Sequence, residues 1–313
     1  MSVRAETTGQ LARARPRAGG TGSLAERQNG LAYALLAPAL LVVVLVAFVP
    51  LFQTIAQSFT NARLASARPV TNVGLKNYTD LLTDGGFLHS IIVTVEFTIL
   101  TVVFEFLLGL MIAMVVNSNF RGRGPMRAAM LVPWAIPTVV SAQMWKWMYH
   151  DIYGVINDLL VNRFHILSSN IAWVADPATS IPAIAAVDIW KTTPFVALLL
   201  LAGLQVIPSD IYEAADVDGA SKVQQFMRLT LPLLRPAILV TLIFRTLDSL
   251  RVFDVFYVMF GNRQDTQTMA IYAQQNIVAF SDLGYGGAIS VAIFLVIGIF
   301  VITYVTFLKV ETT

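Results

Sequence analysis

The sequence predicts an all-α membrane protein with six transmembrane helices. Of its 313 residues, 56% are hydrophobic and only 13% are charged, against about 25% charged residues in a soluble domain. Six apolar segments, separated by polar loops, are each long enough to cross a hydrocarbon core of about 30 Å. These observations exclude a globular enzyme with a single membrane anchor.

Several further classes of function are excluded by the residue types. The net charge of +2 is small and the Lys and Arg side chains form no patch, so nucleic acid is not an expected partner. The chain has no cysteine, and its histidines (His89, His150 and His165) lack the spacing of metal ligands. No GxxxxGK[ST] phosphate loop is present. We therefore expect no metal, no cofactor and no catalytic residue in this chain.

The chain is predicted to consist of a flexible basic tail at residues 1–30 and a membrane domain at residues 31–313, with its core at 88–308. The tail mixes arginines with glycines and precedes an apolar run that is too long for a signal peptide. The loop Gly261–Gly284 separates the last two spans. The predicted spans are, in order, Leu31–Phe59, His89–Val116, Ala128–Trp147, Pro182–Leu204, Pro236–Phe260 and Tyr285–Leu308.

Six spans place both termini on one side of the membrane, and Lys and Arg decide which side. Twelve lie in the tail, in the loops after the second and fourth spans and at Lys309, whereas six lie in or beside the remaining loops. The first set is therefore predicted to be cytoplasmic. This places the loop at residues 205–235, between the fourth and fifth spans, inside the cell.

The loop at residues 205–235 is a polar, helix-forming segment between two apolar ones. Ser209 is expected to cap a first helix and Gly219 to end it. Ser221 is expected to cap a second helix that runs to about Arg228. Pro232 then marks the entry to the fifth span. The pattern predicts a helix, a glycine turn and a second helix outside the membrane.

Ionisable side chains inside the spans form a second signal, because charges at this depth are costly and face a bundle interior or an aqueous cavity. The fifth span carries Arg245, Asp248, Arg251 and Asp254 at steps of three, which predicts successive ion pairs. They form either the wall of a transport path or a ladder of structural salt bridges. Both interpretations remain open.

Two other spans also carry charges. The fourth has Asp188 and Lys191 beside Trp190, and aromatic faces next to hydrogen-bonding groups suit sugars, although membrane aromatics are mostly packing residues or interface anchors. Glu96 and Glu105, nine residues apart in the second span, lie about 180° apart on the helix. At least one of the two should therefore have a partner on another helix.

The spacing of the cytoplasmic loop resembles the EAA loop of permeases of ATP-binding-cassette (ABC) importers. That pattern is Glu-Ala-Ala, three residues, Gly, nine residues, then Ile-x-Leu-Pro. Here it reads Glu213-Ala214-Ala215, Gly219 and Leu229-Thr230-Leu231-Pro232, with Leu229 in place of Ile. The match is complete in spacing and lies between two spans.

Further stretches resemble the carbohydrate branch of these permeases, the maltose/trehalose type, over about residues 31–308. They include Leu131-Val132-Pro133-Trp134, Trp190-Lys191-Thr192-Thr193-Pro194-Phe195 and Phe244-Arg245-Thr246-Leu247-Asp248. One departure is Gly261-Asn262-Arg263-Gln264, where the family often has a Gly-Gly-Pro turn.

The resemblance implies a MetI-like permease fold in a bacterial cytoplasmic membrane and the import of an α-glucoside such as maltose or trehalose. The implied partners are a second permease subunit, two copies of a cytoplasmic ATPase that hydrolyses ATP, and an extracytoplasmic sugar-binding protein. The residues implied to couple to the ATPase are Glu213, Ala214, Ala215, Gly219, Leu231 and Pro232. The candidates for the substrate path are Trp190, Lys191, Asp248, Arg251, Asp254 and Tyr257.

Three alternatives stay open. A glycerol-phosphate permease would favour Arg245 or Arg251 free of acidic neighbours. An ion-coupled secondary transporter would use Glu96, Glu105 or Asp188 as coupling carboxylates. A membrane scaffold or sensor would dock a cytoplasmic protein without transport.

Overall fold

A computed structural model of the chain describes the backbone of residues 21–308 and, residue 30 apart, the side chains of residues 29–306. Residues 1–20 of the predicted tail, and Lys309 with the residues after it, lie outside the described residues. The described part is helical, with two isolated β-bridges, Thr60–Asn72 and Arg63–Asp282. The chain divides into two units between Gln53 and Thr54.

The first unit contains α1 (Thr21–Val43), a π-helical turn (Val44–Phe48) and the start of α2 (Val49–Ser58). The helix α1 begins at Thr21, so residues 21–30 of the predicted tail are already helical. The stretch Leu31–Ser58 is long and apolar enough to cross a membrane, and all its side chains up to Gln53 are exposed. Such an apolar surface requires lipid or another protein around it.

Within the described residues, the second unit holds thirteen α-helices. The described residues of both units contain five apolar helices long enough to cross a membrane, or six if a bent pair counts as one span. The helices are α3 (Lys76–Thr83), α4 (Gly85–Asn117), α5 (Arg123–Met130), α6 (Val132–Ala135), α7 (Thr138–Met148), α8 (Val155–Asn157), α9 (Pro177–Gln205), α10 (Ser209–Val217), α11 (Lys222–Gln225), α12 (Leu231–Leu250), α13 (Asp254–Phe260), α14 (Met269–Gln274) and α15 (Leu283–Leu308).

The centre of this unit is the pair formed by α4 and α9, which run in the same direction. A Cβ atom on Gly109 of α4 would lie 2.6 Å from Cγ1 of Val196 on α9. The two helices therefore approach this closely because position 109 is a glycine, as is common for helix contacts within membranes. Leu200 and Leu204 of α9 and Leu234 of α12 are buried in the same apolar cluster.

The third predicted span, Ala128–Trp147, is wrong as a single helix. The segments Arg123–Ala135 and Thr138–Met148 meet at an angle of 85°. Between them, Ile136 has an extended backbone (ψ 132°), because the ring of Pro137 disfavours the helical conformation of the residue before it. The bend carries α6 against α9 and α7 against α13.

The boundaries of the fifth predicted span, Pro236–Phe260, also differ. Helical structure begins at Lys222 and continues through a π-helical stretch (Phe226–Thr230) into α12, so the polar second helix and the span are one element. The span then breaks between Leu250 and Asp254 before α13. The predicted loop Gly261–Gly284 holds α14, which is capped by Thr268: the side chain of Thr268 accepts a hydrogen bond from the Ile271 N–H.

Candidate functional site

A buried ion-pair network joins three membrane-spanning helices at the centre of the second unit. Arg245 on α12 is 2% exposed, and its Nη2 donates to Oε1 of Glu105 on α4 and to Oδ2 of Asp188 on α9, both at 2.9 Å. Its Nε donates to Glu105 as well. The network confirms the expected interhelical partner for one of the two glutamates of the second span.

Two carboxylates of the network differ in their surroundings. Glu105 is completely buried, whereas Asp248, which receives the Nη1 of Arg245 at 2.9 Å, is largely exposed. Arg245 also donates to the Ser249 hydroxyl at 3.0 Å. The buried guanidinium thus fixes α4, α9 and α12 relative to one another, and Asp248 carries the network to a surface.

That surface is one wall of a cavity of about 370 Å³. Four of the six residues predicted for the substrate path line it, namely Lys191, Asp248, Arg251 and Asp254. The remaining lining residues are Trp134, Thr138, Asp188, Thr192, Val252, Phe253 and Val255. The predicted path residues thus include four of the five charged side chains that line the cavity.

A second cavity, of about 600 Å³, lies beside the first and shares Trp134, Thr192, Asp248 and Arg251 with it. Its other lining residues are mostly apolar: Phe195, Phe244, Arg245, Leu247, Phe294 and Ile297. We call the two adjacent cavities together the recess; the lining of the first is mostly polar and that of the second mostly apolar and aromatic.

The predicted ladder of ion pairs along the fifth span forms only in part. Asp248 pairs with Arg245 at 2.9 Å and with Arg251 at 3.6 Å. Asp254 is exposed and makes no ion pair with any described residue, because α12 ends at Leu250 and the regular spacing of three residues per step is lost there. The interpretation as structural salt bridges thus holds for Arg245, and the interpretation as the wall of a transport path stays a prediction.

The other two predicted path residues lie elsewhere. Trp190 packs edge-on against Trp145 of α7, with ring centroids 5.5 Å apart, and does not line the first cavity. Tyr257 stacks on Phe253 at 5.1 Å and also lies outside that cavity. Phe253, on which Tyr257 stacks, does line the cavity, and Trp190 is a packing residue.

Trp134 is not among the predicted path residues, yet it lines both cavities. It lies at the end of α6, stacks in parallel on Phe195 at 5.6 Å and keeps 46% of its surface exposed. Its carbonyl accepts a hydrogen bond from Nζ of Lys191 at 3.4 Å. The signal was the pair Pro133 and Pro137, which breaks the span at the tryptophan and turns it toward the recess.

The recess offers groups that suit a polyhydroxylated ligand. Carboxylates accept hydrogen bonds from hydroxyls, and Lys191 and Arg251 donate them. The exposed part of the Trp134 indole gives a flat face for the C–H side of a ring.

The polar hairpin lies at the other end of α9 and α12. Pro208, not Ser209, is the residue that precedes α10, so the predicted Ser209 cap is wrong. Ser221 is the cap of α11 as predicted, and with Gln224 it forms a reciprocal capping box. Between the helices, Gly219 has φ +73° and no atom within 4 Å of where a Cβ would be.

The hairpin is closed by its own polar groups. Asp216 accepts hydrogen bonds from Lys222 Nζ at 2.7 Å and from Gln225 Nε2 at 2.5 Å. These bonds hold the pKa of the Asp216 carboxyl below its ordinary value. The backbone N–H of Ala220 donates to the carbonyl of Ala215 at 2.9 Å, which completes the turn.

The predicted coupling residues divide into two groups by exposure. Glu213, Ala214 and Gly219 are on the surface. Ala215 is buried, and Leu231 packs against the apolar cluster of α9 and α12. Pro232 occupies the first turn of α12. The surface residues form a small polar knob, and the buried ones attach it to the membrane helices.

The chain is similar to components of transport systems. The family model described as binding-protein-dependent transport system inner membrane component matches residues 105–309. The sulfoquinovosyl glycerol transport system permease protein SmoG of Agrobacterium fabrum is 42% identical, over 84% of this chain and 85% of that protein. The trehalose/maltose transport system permease protein MalF of Thermococcus litoralis is 41% identical, over 91% of this chain and 95% of that protein.

Solved structures with the same fold include a bacterial ABC transporter involved in the import of the acidic polysaccharide alginate. The TM-score is 0.78 at 20% identity, over 94% of this chain and all of that chain. A second structure of the alginate transporter, in complex with an alginate pentasaccharide-bound periplasmic protein, gives a TM-score of 0.77 at 21% identity, over 90% of this chain and 95% of that chain.

Proposed function

Because this chain belongs to the family of binding-protein-dependent transport system inner membrane components, we propose that it forms part of the transport path of an ATP-driven sugar importer and passes an α-glucoside such as trehalose, maltose or a maltodextrin into the cell. The observation that carries this proposal is the recess at Trp134, where an exposed indole lies beside charged hydrogen-bonding groups. The resemblance to the trehalose/maltose permease MalF supports the same substrate class.

The balance of charge in the recess favours a neutral sugar. Asp188 and Asp248 are paired with Arg245, and Asp248 is also near Arg251. Lys191 and Arg251 are the cations in the first cavity, and they face three carboxylates there. An anionic ligand would require an excess of cations, which argues against a glycerol-phosphate permease.

The chain is expected to act with partners. These are a second permease subunit, two copies of a cytoplasmic ATPase and an extracytoplasmic sugar-binding protein; the alginate transporter's complex with a periplasmic protein supports the last. The excess of Lys and Arg in the tail and in the loops beside α5 and α10 supports cytoplasmic termini in the inner membrane of a bacterium. The hairpin would then face the ATPase.

In this arrangement the hairpin transmits movement. Glu213 and Ala214 are exposed for contact with an ATPase, and Gly219 permits the turn. Leu231 and Pro232 stand where α12 begins, so a displacement of α10 is passed directly to the helix that carries Arg245. Rocking of α12 would open or close the recess.

A second candidate is a permease for an anionic sugar glycoside. The 42% identity to a sulfoquinovosyl glycerol permease favours it. It would use Lys191 and Arg251, whose bonds within the chain are long, at 3.4 and 3.6 Å. Uptake measurements with both kinds of sugar separate the two candidates.

The test is to purify the tagged chain from its native membranes, identify the proteins that accompany it, and reconstitute the complex in liposomes. We expect an ABC ATPase, a second permease and sugar-stimulated ATP hydrolysis, with uptake of trehalose or maltose exceeding that of sulfoquinovosyl glycerol. In Gly219→Asp, hydrolysis is expected to be lost or no longer coupled to uptake. Transport that persists when no ATPase accompanies the chain would overturn the proposal.

A further inference from the structure

The glutamate on the opposite face of α4 from the ion-pair network is used by nothing described so far. Glu96 is exposed, whereas Glu105 is completely buried. No side chain among the described residues makes an ion pair or a hydrogen bond with Glu96. One helix thus carries one carboxylate that accepts two hydrogen bonds from the Arg245 guanidinium and another that points away from the bundle.

Glu96 lies at a depth where a free carboxylate is unfavourable. The 33 residues of α4 span about 50 Å, and Glu96 is five residues, or about 7.5 Å, from the helix midpoint at Thr101. A hydrocarbon core of about 30 Å reaches about 15 Å on either side of its centre. An ionised group at that position requires a partner or water.

The surroundings of Glu96 are apolar. Exposed apolar side chains lie before and after Glu96 along α4 at steps of three or four residues, so they share one stripe of the helix. About half or more of the surface of each is exposed, and they are Ile92, Ile99, Val103, Leu107 and Met111. We name this stripe, with Glu96 in it, the Glu96 face. It has the form of a helix-packing surface with one carboxylate, which lies near the N-terminal end of the stripe.

We propose that the Glu96 face is the contact surface for the second permease subunit, and that a spanning helix of that subunit supplies a cationic or hydrogen-bond-donating side chain to Glu96. The proposal rests on the importer function, because that function supplies a second permease. Charge complementarity identifies the occupant: lipid chains offer no donor at this depth. A second copy of this chain, docked through the same face, would bring two carboxylates together and supply no donor.

The first experiment maps the neighbours of this face by cross-linking. The chain has no cysteine, so Ile99→Cys introduces a single attachment point for a photoactivatable maleimide. The matched control is Ile299→Cys on α15, which is also exposed and lies at a similar distance from the start of its helix. In native membranes we expect Ile99→Cys to form an adduct with a second, non-identical polytopic membrane protein, at a yield several times that of the control.

The second experiment measures recovery of that membrane protein with the tagged chain. Glu96→Leu is expected to lower its recovery about three- to tenfold, the range of interhelical polar contacts in membranes, and Glu96→Lys to lower it further, because it repels a cationic partner. Glu96→Gln retains a hydrogen-bonding group and should recover at least half. Ile299→Lys, which places the same charge on another helix, should leave recovery unchanged.

The outcomes separate the inference from the proposed function. If wild type recovers a second permease and an ATPase but Glu96→Leu and Glu96→Lys recover them equally well, this inference is wrong and the function stands. Adducts of Ile99→Cys only with lipid, or only with another copy of this chain, also overturn it. If wild type brings down no second permease at all, both fail. The amount of each variant in the membrane is measured alongside, and Glu96→Leu serves where Glu96→Lys does not insert.

Discussion

At the scale of single residues, Arg245 decides how the centre of the bundle is held. Its guanidinium is 2% exposed and contacts carboxylates from α4, α9 and its own helix. In a low-dielectric interior each of these charges is unfavourable alone and stable only with its partners. Arg251, six residues later, is an exposed arginine with one long contact, at 3.6 Å to Asp248. Two arginines of one helix therefore have different tasks.

Replacing Arg245 is expected to destabilise the protein strongly. Arg245→Met leaves Glu105 and Asp188 buried without their cation, which costs about 3–5 kcal/mol and should lower the thermal unfolding midpoint in detergent by several degrees. Arg251→Met is the matched control: it should unfold within a degree or two of wild type yet transport less sugar. Equal stability of the two variants would contradict the role given to the network.

Asp84 caps the N-terminal end of α4, far along the helix from Glu105 and the ion-pair network. Its carboxylate caps that helix and accepts the hydroxyls of Tyr272 at 2.6 Å and Tyr285 at 2.5 Å. Partial burial alone would raise the pKa of the Asp84 carboxyl, but the bonds from the two tyrosines and from the Phe87 and Gly86 N–H groups lower it below the ordinary value of 3.8. The pKa of Tyr272 is raised to about 12 by burial and by this carboxylate.

A pH dependence follows from the lowered pKa. A carboxyl whose pKa is lower in the folded protein stabilises it above the unfolded-state pKa, and that stabilisation is lost as the pH falls through the folded-state pKa. The free energy of unfolding of Asp84→Asn should therefore be about 1–2 kcal/mol lower than that of wild type at pH 7. This difference should shrink below about pH 4. Unfolding midpoints at pH 7 and pH 3 check this; a difference that stays constant would contradict it.

At the scale of elements, the hairpin and the bent pair show how local sequence shapes the site. The turn between α10 and α11 needs a left-handed residue, and Gly219 supplies φ +73°. The bend between α6 and α7 needs an extended residue, and Pro137 imposes it on Ile136. One feature makes the exposed knob, and the other brings Trp134 to the recess.

The turn can be tested apart from contact with an ATPase. Gly219→Ala adds one methyl group in open space, so it acts through backbone strain, about 1–2 kcal/mol for a left-handed residue. We expect sugar-stimulated ATP hydrolysis to fall several-fold while the unfolding midpoint of the membrane bundle changes little. Gly74, which also has a positive φ and free space, is the control: Gly74→Ala should leave hydrolysis unchanged.

At the scale of the whole molecule, the second unit combines a centre held by the ion pairs of Arg245 with an exposed polar hairpin. Arg245 ties α4, α9 and α12 together, and α12 is continuous with α11 from Lys222 onward. Under the proposed function, a displacement of the hairpin reaches the recess through this one helix. The break between Leu250 and Asp254 lies in the wall of the recess, because Arg251, Val252 and Phe253 line the first cavity.

Energy coupling distinguishes an ABC importer from an ion-coupled transporter. In proteoliposomes that contain the complete complex, sugar uptake should stop without ATP or with vanadate and should continue when a protonophore collapses the proton gradient. The reason is that, in the proposed importer, ATP hydrolysis by a partner subunit and not a proton gradient supplies the energy for uptake. Uptake abolished by the protonophore alone would contradict this prediction.

The sequence by itself was sufficient to predict the class of protein and the positions of most of the membrane-spanning helices. Long apolar segments and few charges require a membrane protein, and the spacing from Glu213 to Pro232 identified the family. Lys191, Asp248, Arg251 and Asp254, which line one cavity, were predicted as path residues because charges within spans are costly, a property of each residue that needs no knowledge of its neighbours.

Only the tertiary structure decided which of these groups act together. Helical spacing predicted a ladder along α12, but the break after Leu250 separates Asp254 from it. Besides its predicted partner Asp248, Arg245 pairs with Glu105, 140 positions away. The place of Trp134 depends on an 85° bend and on Phe195 behind it. Periodicity describes one helix at a time, whereas partners and cavities arise from packing between helices that are distant in the chain.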